Sequence, residues 1–331
     1  MKTKKISRSL RVLRNALLAM VTVFVMWAVA SNVTTAYEQK KYPATGQLVE
    51  VDGNHMHIYT KGNGENTVIL LSGLGTAAPV LDFEPLLNEM SKKNKVVVVE
   101  LFGYGWSDRT EKERTVENIT EEIRIALQKA NIEGPYILMP HSISGIYSMY
   151  YANKYPEEIK AIIGIDPTLP KQFDYRGDSA PTLPNLIGLA APTGITRLIS
   201  SLSPDIFLPS AADATYSEEN MKMLKTLFAW NGYNKNVIAE TNEIQYTVDK
   251  MIDMTFPSDL PVMIFTPEEN KVIDEDGKSK VIYYQAQLSH GSSNKLVTLD
   301  GGHYLHWTRY KEMSQYVNEF VEAHQRLPLP N

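Results

Sequence analysis

At 331 residues, 43% of them hydrophobic, the chain is long enough to bury one large core plus an accessory segment. It contains no cysteine, which excludes disulfides, thiolate metal sites and a cysteine nucleophile, so any covalent catalysis uses oxygen or nitrogen. The formal charge of −5 conceals an asymmetry: without the six cations Lys2, Lys4, Lys5, Arg8, Arg11 and Arg14, 27 basic residues face 38 acidic ones, leaving −11 and no general attraction for nucleic acid.

Those six cations precede a charge-free run over residues 15–37 whose apolar heart is 16–30, the pattern of an export signal. Two readings stay open for residues 1–37. The full run is long enough for a retained signal anchor, whereas Ala28-Val29-Ala30 has the small-x-small form that signal peptidase cuts. Either way the positive-inside bias puts the rest outside the cytoplasm.

Residues 38–46 read as a polar tether, and 47–60 as a hairpin turning at Asp52-Gly53-Asn54. His55 and His57 fall on one face of its second strand, where they are expected as polar residues on an exposed edge; no third ligand is spaced for a metal. Short apolar runs then recur at 67–71, 95–101, 136–139, 161–165, 262–265 and 295–299, which suits strands buried on both faces of a parallel sheet. Amphipathic stretches lie between them. In the one at 116–129, Val116, Ile119, Ile123 and Leu127 share a helical face behind a Thr115 cap. The pattern predicts a doubly wound α/β fold with a core of 47–167 and 258–325.

The alternation lapses over 168–257, where prolines and scattered apolar clusters replace strong strands and helical character returns near 218–230 and 236–254. This segment is expected to be a helical cap over a pocket at the carboxyl ends of the strands. Residues 326–331 form a tail.

After the run at 136–139 comes Pro140-His141-Ser142-Ile143-Ser144-Gly145, leading into a helical stretch. A nucleophile elbow needs small or pre-bent residues two positions either side of its serine; Ser142 meets that, while Ser144 has Ile146 at the crowded position. Together with Leu71-Ser72-Gly73-Leu74-Gly75, the turn from Glu100 to Asp108, Tyr155-Pro156-Glu157 and Gly301-Gly302-His303, this motif resembles the α/β-hydrolase superfamily over about residues 47–322.

The resemblance implies acyl transfer, with Ser142 as nucleophile, His303 as general base, and the backbone N–H groups of Leu74 and Ile143 as an oxyanion hole. His141 and His306 are the other nearby histidines; His306 reads as a pocket-rim or helix-start residue. At the superfamily's usual acid position the chain carries Asn270, which can orient an imidazole but cannot stabilise an imidazolium as a carboxylate does. Asp166, at the end of the 161–165 strand, is the preferred replacement, and Glu269 the alternative.

The expected function is hydrolysis of an ester or amide, esterase-, lipase- or serine aminopeptidase-like. An aminopeptidase would hold a free amine with an acid such as Glu218, Glu219, Glu240 or Glu243. The apolar clusters at 186–191 and Ile206-Phe207-Leu208 read either as an acyl-binding wall or as packing within the cap. A ligand-binding or sensory protein with little turnover, and an acyltransferase, are the other readings. No motif supports a metal or organic cofactor. The expected partners are a small or lipid-like ester or amide and, through the N-terminal segment, a membrane; the sequence is silent on oligomeric state.

Overall fold

The structure, a computed structural model, describes residues 8–203, 209, 215–289, 291 and 293–325. Lys2, Lys4 and Lys5, the Ile206-Phe207-Leu208 cluster and the 326–331 tail lie outside the described residues.

The strands are β1 (Gln47–Val51), β2 (Asn54–Lys61), β3 (Thr67–Leu71), β4 (Lys95–Glu100), β5 (Tyr136–Pro140), β6 (Ile159–Ile165), β7 (Val262–Pro267) and β8 (Lys295–Leu299). They form one eight-stranded sheet ordered β1-β2-β4-β3-β5-β6-β7-β8. Every pair from β4 to β8 is parallel, and the β1–β2 hairpin joins antiparallel through β2 and β4. Asp52 and Gly53 both have positive φ, which makes the two-residue turn whose twist matches a hairpin. The architecture is the α/β-hydrolase fold that the alternation and the motifs predict.

Strands β3, β5 and β7 are buried at every residue, as a parallel sheet covered on both faces requires. One hydrophobic cluster gathers around Ile69, Val97, Leu138 and Ile264, and a second on the other face around Leu70, Val98, Met139 and Phe265. The helix Val116–Lys129 seats Ile119, Ile123 and Leu127 in the first cluster, and Thr115 Oγ1 accepts from Asn118 N at its start.

Two expectations about the sheet need correction. Strand β8 is its edge, with Lys295 exposed, so it is not buried on both faces. His57 is fully buried: β1 and not β2 is the outer strand, and the His57 ring packs 5.3 Å from that of Trp106, in the loop after β4. Gly46 N–H donates to His57 Nε2, leaving Nδ1–H to donate to Glu100 Oε2 at 2.9 Å. His55 does stay exposed, beside Asp108.

Over 168–257 the chain forms helices Gln172–Arg176, Ile195–Leu202, Glu218–Asn231 and Lys235–Lys250. Asn234 caps the last of these and donates to the Gly103 carbonyl, and Asn236 exchanges two hydrogen bonds with the Thr110 backbone. A side chain at Gly103 would strike Asn234 and Asn236, so that glycine lets the helical layer settle on the loop after β4.

An N-terminal helix, Arg8–Lys41, is long and apolar enough to cross a membrane. It runs on through four residues expected in the polar tether, and its later turns have partners over residues 192–197. Trp27 Nε1 donates to Gly194 O and Asn32 Nδ2 to Pro192 O, while Arg197 clasps Glu38 through both guanidinium ends. Gly194 has φ +77°, and a Cβ there would lie 2.6 Å from Ser31 Cβ.

Candidate active site

The side chains singled out in the sequence collect at the carboxyl ends of β3, β5, β6 and β8. Ser142 sits in the tight link between β5 and the helix Ser144–Lys154, with φ +53°. A non-glycine residue in that region is held only where its surroundings over-determine it. Here Ser142 N–H donates to Ile165 O, and Ser142 O accepts from Thr168 N at 2.7 Å and Gly145 N at 2.9 Å.

Close backbone approach explains the neighbouring small residues. A Cβ on Gly73 would meet His141 Nδ1 at 2.8 Å and Ser142 Cβ at 3.1 Å, so the loop after β3 lies directly against the serine. A Cβ on Gly145 would strike Pro167. Ser144 is buried and donates to Ser72 O at 2.5 Å, which takes it out of contention as the reactive hydroxyl.

Asp166 follows β6, also at positive φ, and its Oδ2 lies 2.6 Å from His303 Nδ1. With Nδ1–H donated to the carboxylate, His303 Nε2 is left as the basic nitrogen, and it has no partner among the described residues. The His303 side chain is 39% exposed, whereas Asp166 is buried. Ser142 and His303 form no hydrogen bond with each other among the described residues. They are linked through His141, whose Nε2 lies 3.1 Å from His303 O and whose ring centroid is 4.7 Å from that of His303.

Asp166 receives more than His303. Lys280 Nζ donates to Oδ2 at 2.8 Å, and Asn270 Nδ2, Thr266 Oγ1 and Tyr284 OH reach Oδ1 at 2.9, 3.1 and 3.2 Å. Burial works to raise the Asp166 pKa, but the His303 hydrogen bond and the Lys280 charge outweigh it and hold the carboxyl below its ordinary value. Asn270 therefore meets the carboxylate and not the imidazole. Glu269 is exposed in a short 3₁₀ turn and makes no hydrogen bond to His303.

The N–H groups of Leu74 and Ile143 have no acceptor among the described residues, although Ile143 is buried. Unpaired buried donors are costly unless something is to be bound there. Leu74 borders a cavity of about 290 Å³ whose walls also include Gly75, Asp82, Phe228, Tyr233 and Tyr304. The Tyr304 ring is 5.3 Å from that of His303.

The two other histidines are turned inward. His141 is buried, and desolvation followed by the neighbouring His306 and His303 rings pushes it well below its usual pKa, so it is neutral. His306 is fully buried and bonded through Nε2 to Asp82 Oδ2 at 2.7 Å. It is an interior residue at the start of the short helix Leu305–Thr308, so of the two placements expected it takes the helix start and not the pocket rim.

Sequence reasoning missed the supports. Lys280 sits at the start of the helix Lys280–Leu288, after a polar loop that carries no periodic signal. It also missed a link to the helical layer, in which Glu240 accepts from Tyr104 OH at 2.8 Å and Tyr147 OH at 2.7 Å, while Tyr104 OH accepts from Gly75 N. Burial pushes the Glu240 carboxyl up. Glu218 and Glu219 are exposed, and none of the four acids suggested for amine binding lines the cavity beside Leu74.

The alpha/beta hydrolase fold family matches residues 66–310. The chain is similar to the uncharacterized protein YbdG of Bacillus subtilis, with 31% identity over 92% of this chain and 93% of that one. It is 30% identical to the serine hydrolase BPHL of Mus musculus across 36% of this chain and 42% of the mouse protein. Among solved structures, an epoxide hydrolase of Vigna radiata superposes with a TM-score of 0.65 at 19% identity, covering 84% of this chain and 97% of that one. The enol-lactonase of Burkholderia xenovorans does so with 0.58 at 16% identity, covering 83% and 100%.

Proposed function

We propose that this chain, which belongs to the alpha/beta hydrolase fold family, is a membrane-anchored, extracytoplasmic serine hydrolase that cleaves an ester or amide through Ser142, His303 and Asp166. The observation that carries the reading is the conjunction of Ser142, held at positive φ in a strand-to-helix turn, with a buried Asp166 bonded to a half-exposed His303.

The chemistry follows from what each group can hold. Ser142 Oγ attacks the substrate carbonyl carbon as His303 Nε2 takes the hydroxyl proton. Asp166 keeps Nδ1 protonated and stabilises the imidazolium; its low pKa keeps it ionised throughout. The carbonyl oxygen, now negative, accepts from the N–H groups of Leu74 and Ile143. Collapse expels the alcohol or amine, which takes the proton from His303 and leaves an acyl ester on Ser142. Water, deprotonated by His303, attacks that ester; the carbonyl re-forms, the acid departs and Ser142 recovers its proton. An ester is favoured over a peptide with a free amino terminus, since among the described residues Asp82, already bound to His306 and Trp307, is the one acidic side chain lining the cavity.

Retention of the anchor is supported by the packing of Trp27, Asn32 and Glu38 onto the cap, contacts that cleavage after Ala30 would divide. The test is covalent labelling by a fluorophosphonate. Capture by the wild type that is lost in Ser142→Ala is the expected result; capture that persists in the variant, or none by the folded wild type, refutes the reading. The mass of the labelled chain reports whether residues 1–30 remain.

A further inference from the structure

Where the N-terminal helix meets the cap there is a second cavity, of about 920 Å³, within the size range of small-molecule sites. Leu186, Ile187, Ile195 and Ile199 line it from the cap, and Phe24 from the N-terminal helix. Two threonines complete the wall with their hydroxyls turned away: Thr193 donates to Leu189 O and Thr196 to Ala229 O. The space offers hydrocarbon and little else.

Its depth follows from helix geometry. Phe24 lies ten residues after Arg14, about 15 Å along a helix rising 1.5 Å per residue. With Arg14 at the inner interface of a hydrocarbon layer roughly 30 Å thick, Phe24 reaches the middle and the groove faces the outer leaflet. The surrounding surface fits that setting. Leu186 is 75% and Leu202 74% exposed, with Leu189 and Leu198 also outward, and an apolar patch of this kind continues the surface of the span itself.

The groove adjoins the reactive end of the sheet. Phe228 and Tyr233 line both it and the cavity of about 290 Å³ bounded by Leu74 and Gly75, so the same two aromatic side chains border both spaces.

We propose that the groove between the N-terminal span and the cap takes up a hydrocarbon chain of a membrane lipid from the outer leaflet, and that the bond cleaved at Ser142 is an ester of that lipid. The second clause rests on the serine hydrolase reading; the first stands on the groove alone.

The test uses the full chain in phosphatidylglycerol vesicles with two fluorophosphonates, one bearing an ethyl and one a hexadecyl chain. The long-chain probe labels Ser142 faster, by about tenfold or more, since each buried methylene adds to its binding. In Ile199→Asp, which puts a charge in the groove, the ratio of the two rates falls about tenfold, and Ile187→Trp, which fills the groove without charging it, lowers it likewise. Equal rates in the wild type, or a ratio unchanged in a folded variant, overturn the proposal. If neither probe labels the wild type, the hydrolase reading has failed. The groove is then judged by a phospholipid with a diazirine at its chain terminus: crosslinks within residues 183–199 support uptake, and crosslinks confined to residues 8–37 refute it.

Discussion

Two aspartate–histidine pairs stand side by side in this molecule, and they differ in what they can do. His303 and Asp166 meet at 2.6 Å, His306 and Asp82 at 2.7 Å, so the bond alone does not distinguish them. Exposure does. His303 shows 39% of its side chain and keeps Nε2 unpartnered among the described residues, whereas His306 is fully buried, with Nε2 committed to Asp82 and Nδ1 enclosed without a partner. A carboxylate makes an imidazole a better base, but only a nitrogen that reaches the substrate can act as one.

The comparison is broken most severely at His303 itself. His303→Ala is expected to lower kcat on an ester substrate by about 10⁵ to 10⁶, leaving what the oxyanion donors and binding supply. Asp166→Asn comes next, at about 10⁴, because an amide cannot hold the same tautomer and charge. A loss below about tenfold, measured by steady-state kinetics, would show that Asp166 is structural.

The Asp166 variant also changes the acid limb of stability. The folded-state pKa of Asp166 is depressed, so the wild type gains stability above the unfolded value near about 3.9 and loses it as pH falls through the lower folded value. Thermal melts of Asp166→Asn should lack that part of the acid dependence. His306→Gln tests the second pair: it is expected to cost about 1 to 3 kcal/mol in denaturant unfolding through a weakened bond to buried Asp82, with less than about a tenfold change in kcat of the folded protein. Glu269→Gln should alter neither quantity, its carboxylate being exposed and apart from His303.

What the sequence disclosed depends on how local the physics is. Val116–Lys129 was legible to the residue because cap and apolar stripe lie within a single segment, and the apolar runs located β3 through β8. His57 was misplaced because its burial depends on Trp106 and Glu100, distant residues that one strand's pattern does not record. Around Asp166, the Asn270 substitution drew attention to a carboxylate that does meet His303, yet the donors Lys280, Thr266 and Tyr284 come from three places joined only by the fold. The helical layer was least legible, since its polar contacts, such as Glu240 with Tyr104 and Tyr147, span long stretches of chain.

The absent side chain at Gly194 has a mechanical consequence. With Trp27 and Ser31 pressed against it and Glu38 gripped by Arg197 and Trp230, the N-terminal helix is a strut and not a leash. A leash would let the domain sweep a hemisphere of positions above its attachment point. In the membrane-anchored protein proposed above, a strut would set one height and one heading, so targets beyond that radius would be out of reach. A methyl group at Gly194 would meet Ser31 and Trp27 within 3 Å, so that seam of the strut would have to open while the grip on Glu38 remained.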